Sequence, residues 1–215
     1  MSKNTLPDFF LHACKKLTIP LSEEAGLQFE TYYQELIAWN KKINLTRITE
    51  KKQVLIEHFI DSLIPERFIP LKSSLIDLGS GGGFPGLPLK IVRPDLSVTL
   101  VDSSLKKVLF LRYLIRLLNL HDIAVIQDRL KPHDSSGNRY DVCIGRAFTS
   151  LERFLPLALA LKNPQGIIIA MKGPNFLNEL KAVESQLPLW GISLKQLRKF
   201  TLPFTNKQRT IIIFE

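Results

Sequence analysis

Leu75-Ile76-Asp77-Leu78-Gly79-Ser80-Gly81-Gly82-Gly83-Phe84-Pro85-Gly86 reads as a buried strand, a glycine turn and the start of a helix. Leu75, Ile76 and Leu78 suit a strand covered on both faces. Gly79, Gly81 and Gly83 remove side chains where the backbone turns tightly and a ligand must come close. Pro85 fits a first helical turn, where a missing N–H costs little, and Pro88 lies near enough to that start to be tolerated. The expected product is a corner that holds a small ligand against free backbone N–H groups. A connection that binds nothing is the alternative, and four glycines in five positions argue against it.

Upstream of the corner, the pattern is helical. Leu6, Phe9, Phe10, Ala13, Cys14 and Leu17 recur at helical spacing over residues 5–17, and Pro20 ends that region. Ser22 offers an N-cap to a second helix carrying Leu27, Phe29, Tyr32, Tyr33, Leu36, Ile37 and Trp39, with Glu23 and Glu24 in its first turn. These aromatics read as core. Asn40–Thr46 reads as a polar, basic loop in which Ile43 and Leu45 anchor inward. Thr49 is the expected cap of a third helix bearing Val54, Ile56, Phe59, Ile60 and Leu63, with Pro65 and Pro70 punctuating its exit.

Downstream, strands and helices alternate. Strands are expected at Leu75–Leu78, Val98–Val101, Ile123–Ile126, Tyr140–Ile144 and Gly166–Met171, and helices at Leu87–Val92, Leu105–Leu118, Leu151–Leu161 and Phe176–Leu187. Such alternation predicts a parallel sheet covered on both faces. Ile192–Phe200 and Arg209–Phe214, joined by a short polar loop, predict an antiparallel hairpin closing one edge. The division expected is a helical N-terminal extension, residues 1–70, ahead of one compact unit, residues 71–215.

Composition narrows the class. Hydrophobic residues make up 45% and charged residues 23%, which suits a globular domain. Cys14 and Cys143 lie far apart in apolar segments, so they read as buried thiols and not as a disulfide or metal pair. Met1-Ser2-Lys3-Asn4 carries no signal-peptide core and no apolar run is long enough to cross a bilayer, so the expected location is the cytoplasm, with no membrane partner. The 29 Lys and Arg against 20 Asp and Glu are distributed unevenly: +1 over residues 1–74, +3 over 75–148 and +5 over 149–215. A basic surplus points to a polyanionic partner, although a generically basic surface explains it equally.

Two ligand families use a glycine corner of this kind: dinucleotides and S-adenosylmethionine. The dinucleotide fingerprint G-x-G-x-x-G places its third glycine where this chain has Phe84. The spacing here is Asp77-x-Gly79-x-Gly81-x-Gly83, which resembles the first motif of Rossmann-like methyltransferases. Asp102, closing the second strand, can accept the ribose hydroxyls of a nucleoside or cap the helix that begins at Ser104. Gln127–Lys131 follows the third strand, where an adenine would lie, and Gly145-Arg146-Ala147-Phe148 follows the fourth. A lone cation after a buried strand requires an anionic partner. For Arg146 the candidates are a methionine carboxylate, Asp77 or an RNA phosphate. His58 reads as a structural histidine with Asp61, on the same helical face, as its partner. Lys41, Lys42 and Lys172 are either phosphate contacts or solvated surface.

The segment Asp77–Leu89 resembles the signature of the small-subunit ribosomal RNA methyltransferase G family, also called glucose-inhibited division protein B. Trp39–Thr46, His58–Leu63, Val101-Asp102-Ser103, Arg146-Ala147-Phe148 and Met171-Lys172-Gly173 agree with it. The resemblance runs from about residue 30 to the C-terminus. It implies an α/β, Rossmann-like class I S-adenosylmethionine-dependent methyltransferase fold, with a seven-stranded, mostly parallel sheet, the C-terminal antiparallel hairpin and the helical N-terminal extension. It implies methyl transfer from S-adenosylmethionine, with no metal, to N7 of guanine 527 in 16S rRNA, on a small ribosomal subunit, by a monomeric enzyme. The cofactor-binding residues carried over are Gly79, Gly81, Phe84, Asp102, Leu130, Lys131 and Arg146. The chain departs from the family at Lys131, where an acid is frequent, and at Glu57, where an arginine is frequent. A non-catalytic RNA-binding or assembly factor on the same fold is the second hypothesis, and nicotinamide-dependent oxidoreduction the third.

Overall fold

The computed structural model describes residues 6–131 and 139–215; the Met1–Asn4 stretch read for a signal core lies outside them. Four helical pieces precede the sheet: α1 (Asp8–Lys16), α2 (Glu23–Ile43), α3 (Lys51–Val54) and α4 (Asp61–Leu63). A π-helical turn, Leu55–Ile60, joins α3 to α4, and a 3₁₀ turn, Ile64–Phe68, carries Pro65 out. Ser22 caps α2 as expected, its hydroxyl accepting the Ala25 N–H at 3.0 Å. Two boundaries differ from expectation. Glu50, and not Thr49, caps α3, its two carboxylate oxygens accepting the N–H groups of Lys52 and Gln53 at 2.9 and 2.8 Å. The Asn40–Thr46 stretch is helical through Ile43. It ends where Asn44 turns left-handed, at φ 53°, and Asn40 Oδ1 accepts the Thr46 N–H at 2.7 Å.

The sheet has seven strands, β1 (Ser74–Leu78), β2 (Ser97–Asp102), β3 (Ile123–Gln127), β4 (Tyr140–Arg146), β5 (Lys162–Lys172), β6 (Leu194–Thr201) and β7 (Gln208–Phe214), in the order β3-β2-β1-β4-β5-β7-β6. β1 to β5 run parallel, and β7 runs antiparallel to both β5 and β6. The tail hairpin therefore docks through its second strand and leaves β6 at the edge. Helices α5 (Gly86–Val92), α6 (Leu105–Leu117), α7 (Leu151–Leu161) and α8 (Phe176–Val183) complete the layers.

Side-chain alternation along the strands sorts the core into two. Leu75, Leu100, Ile144, Ile169 and Ile211 pack on one face with α5, α6 and the N-terminal helices; Ile76, Val101, Cys143, Ile168 and Ile212 pack on the other with α7 and α8. Phe10, Phe29, Tyr32 and Phe59 of the extension are fully buried in the first cluster, so the extension is one cover of the sheet. Both cysteines are free and buried, with thiols pushed up to about 12 by desolvation, as core thiols should be. No helix among the described residues is long and apolar enough to cross a membrane.

The chain order reverses between β1 and β4, which are hydrogen-bonded neighbours. In such sheets, the crevice outside the carboxyl ends of the strands at that reversal is where ligands bind.

Candidate active site

The glycine loop leaves β1 in left-handed backbone, with φ 76°, 59° and 105° at Gly79, Gly81 and Gly83. Gly83 has no room for a side chain: a Cβ there would fall 2.5 Å from Tyr32 Oη and 3.1 Å from Leu111. Tyr32, reaching in from α2, donates its hydroxyl to the Gly82 carbonyl at 2.5 Å and stacks on Phe84 at 5.5 Å, with the rings 8° apart. The extension thus braces the loop from below.

The expectation of free backbone N–H groups fails here. Gly79 and Ser80 N–H donate to the Val101 carbonyl, Gly83 and Phe84 N–H to the Ser80 carbonyl, and Gly81 N–H to Asp102 Oδ2 at 2.9 Å. Gly86, the first residue of α5, donates to Asp77 Oδ2 at 2.9 Å. Among the described residues, only Gly82 N–H in this loop lacks a partner. A pyrophosphate requires such donors and an open helix N-terminus. This loop offers close approach without them, so it suits a ligand without phosphates.

Two adjoining clefts open on the loop. One, of about 370 Å³, is lined by Gly79, Asp102, Asp128, Leu130 and Phe148. The other, of about 670 Å³, is lined by Gly79–Gly82, Phe84, His58, Asp61, Arg146, Lys172 and Arg209. Gly79, Lys107 and Ala147 belong to both, so the clefts meet over the first glycine. A nucleoside carrying an amino-acid tail has that bipartite shape. The residues present fit S-adenosylmethionine: a Cβ on Gly81 would meet nothing nearer than 3.9 Å, and the clefts meeting over Gly79 carry an acid, Asp102, in one and a cation, Arg146, in the other. Asp102 does not cap α6, whose N-cap is Ser104: its Oδ1 accepts the Ser104 N–H at 2.9 Å in the turn before the helix, its Oδ2 lies 3.7 Å from Lys107 Nζ, and it lines the first cleft. Leu130 faces that cleft. Lys131 is exposed and lines neither.

The second cleft is built around Arg146. Its guanidinium donates to the Glu57 carbonyl at 2.9 Å and to Asp61 Oδ2 at 3.2 Å, and lies 4.9 Å from the Phe84 ring centre. Its ion-pair partner is therefore Asp61, which shares the same oxygen with Arg209 Nε at 3.1 Å. Asp61 is not the partner of His58. Arg146 Nη2 contacts His58 Nδ1 at 3.2 Å and can only donate, which places the imidazole proton on Nε2, directed at Thr46 Oγ1 at 2.7 Å. Lys172 is engaged inside the protein, with the Thr149 carbonyl and with Glu179 at 2.7 Å. Glu57 pairs with Lys207 at 2.6 Å. Sequence reasoning missed Tyr32 and Arg209 as parts of the site. Arg209 carries a signal of its own, a cation opening the apolar run Ile211–Phe214.

Two groups here are strongly shifted. Desolvation, with the neighbouring Arg146 charge second, pulls His58 down to about 3, so the ring is neutral. Desolvation pushes Asp77 up to about 7, against the opposing Gly86 N–H. Their linkage to stability has opposite signs. Asp77 binds a proton more tightly folded than unfolded, so its contribution, complete below about pH 4, is lost as pH rises to about 7. His58 binds one less tightly folded, so its contribution, complete above about 6.5, is lost as pH falls towards 3. Between pH 4.5 and 6.5 the two slopes offset. Asp77→Asn is expected to steepen the acid loss of stability relative to the parent, and His58→Gln to reverse its sign, each by about 2 kcal/mol across that window. Urea unfolding at the two pH values checks this, and parallel profiles for all three proteins would refute it.

Residues 26–212 match the family model described as rRNA small subunit methyltransferase G. A ribosomal RNA small subunit methyltransferase G from Desulforamulus reducens is 38% identical over 217 residues, covering 99% of this chain and 90% of that protein. The Geobacillus kaustophilus protein of the same name is 41% identical over 202 residues, covering 92% and 85%. Among solved structures, coclaurine N-methyltransferase bound to N-methylheliamine and SAH superposes with TM-score 0.58 at 12% identity, covering 96% of this chain and 92% of that one. The ribosomal protein L11 methylase of Lactobacillus delbrueckii subsp. bulgaricus superposes with TM-score 0.54 at 15% identity, covering 73% and 77%. These structural likenesses establish the class I methyltransferase fold. The sequence match spans the extension from α2 onward as well as the sheet and reaches into β7, so every element that lines the two clefts lies within it, and the chain belongs to the rRNA small subunit methyltransferase G family.

Proposed function

We propose that this protein transfers the methyl group of S-adenosylmethionine to N7 of a guanine in 16S rRNA, acting as a monomer on the small ribosomal subunit in the cytoplasm. The observation that carries the reading is the pair of clefts meeting over Gly79, beside a glycine loop whose N–H groups, that of Gly82 apart, are already satisfied. Asp102 is assigned to the ribose hydroxyls, with Leu130 and the Lys131 backbone beside the adenine. Gly79, Gly81 and Phe84 are assigned to the body of the donor, and Arg146 to its methionine end. When bound, the donor supplies an electrophilic methyl carbon on a sulfonium. Guanine N7 exposes a lone pair, so no proton has to leave and the chain needs positioning more than a general base. The neutral His58 and the paired Arg146–Asp61–Arg209 group agree with that, since none is poised to take a proton. The extension, residues 1–70, and the sheet unit, residues 71–215, are read as the two walls of the RNA groove.

Small subunits from a strain lacking the protein, incubated with labelled donor and the purified chain, should yield N7-methylguanine in 16S rRNA. Naked 16S rRNA run in parallel separates subunit from free RNA as the substrate. Normal donor binding with no transfer to either would replace the enzyme with an RNA-binding factor on the same fold.

A further inference from the structure

Phe148 sits in an uncommon setting. Arg146, two residues before it, is tied to the extension, while the Thr149 carbonyl accepts from Lys172 and the Leu151 N–H donates to Glu179 at 2.9 Å. Between these anchors Ala147 adopts φ 51°, a conformation in which a non-glycine residue costs free energy. The result is a benzyl side chain left 40% exposed, while Phe84, Phe154 and Tyr32 nearby are buried. Its ring rests on Gly79, where a Cβ would fall 2.1 Å from Phe148 Cδ2. Gly79 is the residue over which the two clefts meet. A strained backbone that presents an apolar ring to water adds little to stability, and such arrangements concentrate where a site needs them.

The proposed reaction needs a neutral, π-rich group at that place. The N7 lone pair forms the bond to the methyl carbon as the carbon–sulfur bond breaks, with its electrons staying on sulfur. The donor becomes a neutral thioether, and the purine takes up the positive charge. An aromatic face stacked on the purine holds the base and is attracted to that charge as it develops.

We propose that Phe148 is a catalytic residue that leaves Gly79 when the site fills and stacks on the target guanine. This rests on the N7-transfer reading. Phe148→Leu keeps apolar bulk and removes the π face, and is expected to slow single-turnover transfer to small subunits on the order of tenfold. Phe148 lines the donor cleft before the site fills, so calorimetric titration of that variant with S-adenosylmethionine and with S-adenosylhomocysteine should give affinities that change equally and by far less than the transfer rate. Phe148→Tyr should recover most of the rate. Loss of affinity for the sulfonium compound alone would put the ring on the donor's sulfur, and an equal loss for both as large as the loss of rate would make it only a wall of the donor cleft; either overturns the proposal. A leucine variant as fast as the parent overturns it too. Failure of the underlying reading is separate, since the parent protein would then produce no N7-methylguanine.

Discussion

Gly83→Ala is expected to destabilise the protein by about 3 kcal/mol and to abolish measurable donor binding. Two costs coincide. Alanine at φ 105° is outside its allowed regions, and its methyl would meet Tyr32 Oη at 2.5 Å and Leu87 Cβ at 3.3 Å. Tyr32 cannot retreat, because it is fully buried, bonded to Gly82 and stacked on Phe84. Gly81→Ala is the control for stability alone, since a methyl there enters the space assigned to the donor. It shares the left-handed backbone at φ 59°, but its methyl meets nothing nearer than 3.9 Å, so only the backbone cost of about 1 kcal/mol applies. Urea unfolding and calorimetric titration with S-adenosylmethionine give both numbers. Equal losses of stability for the two variants would show that backbone strain, and not the Tyr32 brace, sets the loop.

Arg146→Met should cost about 3–5 kcal/mol, the penalty for breaking a buried pair from one side. Asp61 is 3% exposed, with one oxygen already unpartnered, and would keep only Arg209. The Glu57 carbonyl and His58 Nδ1 would lose their donor as well. Arg146→Lys should not rescue, because one ammonium cannot replace a planar fork that serves three acceptors on the extension. An independent readout is the His58 ring. With the cation gone, burial alone holds it down, so its NMR titration midpoint should rise from about 3 while staying below 6.5. An unmoved midpoint would show that Arg146 does not act on the imidazole.

The glycine corner and the strand–helix alternation were legible because they are local: glycine spacing and apolar periodicity act within a few residues of themselves. Errors gathered where a neighbour distant in sequence decides. Asn40–Ile43 looks like a loop because Asn40, Lys41 and Lys42 are polar, yet α2 can present them to water until Asn44 turns left-handed. His58 and Asp61 are three apart, the spacing of a helical pair, but the chain between Leu55 and Ile60 is π-helical, and each side chain finds its partner elsewhere. Those partners, Arg146 and Arg209, come from β4 and β7, 85 and 148 residues from Asp61. The loop's donors were misjudged for a related reason. Whether an N–H is free depends on whether Val101, Ser80 and Asp102 reach it, and that is settled by the register of β2 against β1.

β7 comes last in chain order yet lies inside the sheet, between β5 and β6. During vectorial synthesis β5 emerges before the strand that will cover its side, so a half-made chain carries a bare template for wrong pairing. Arg209, the second cation on Asp61 Oδ2, arrives on that same strand. A chain that has not yet reached residue 208 would thus present the glycine loop with the second cleft unfinished. The second cleft therefore depends on the pairing of β7 with β5, since that pairing brings Arg209 to Asp61.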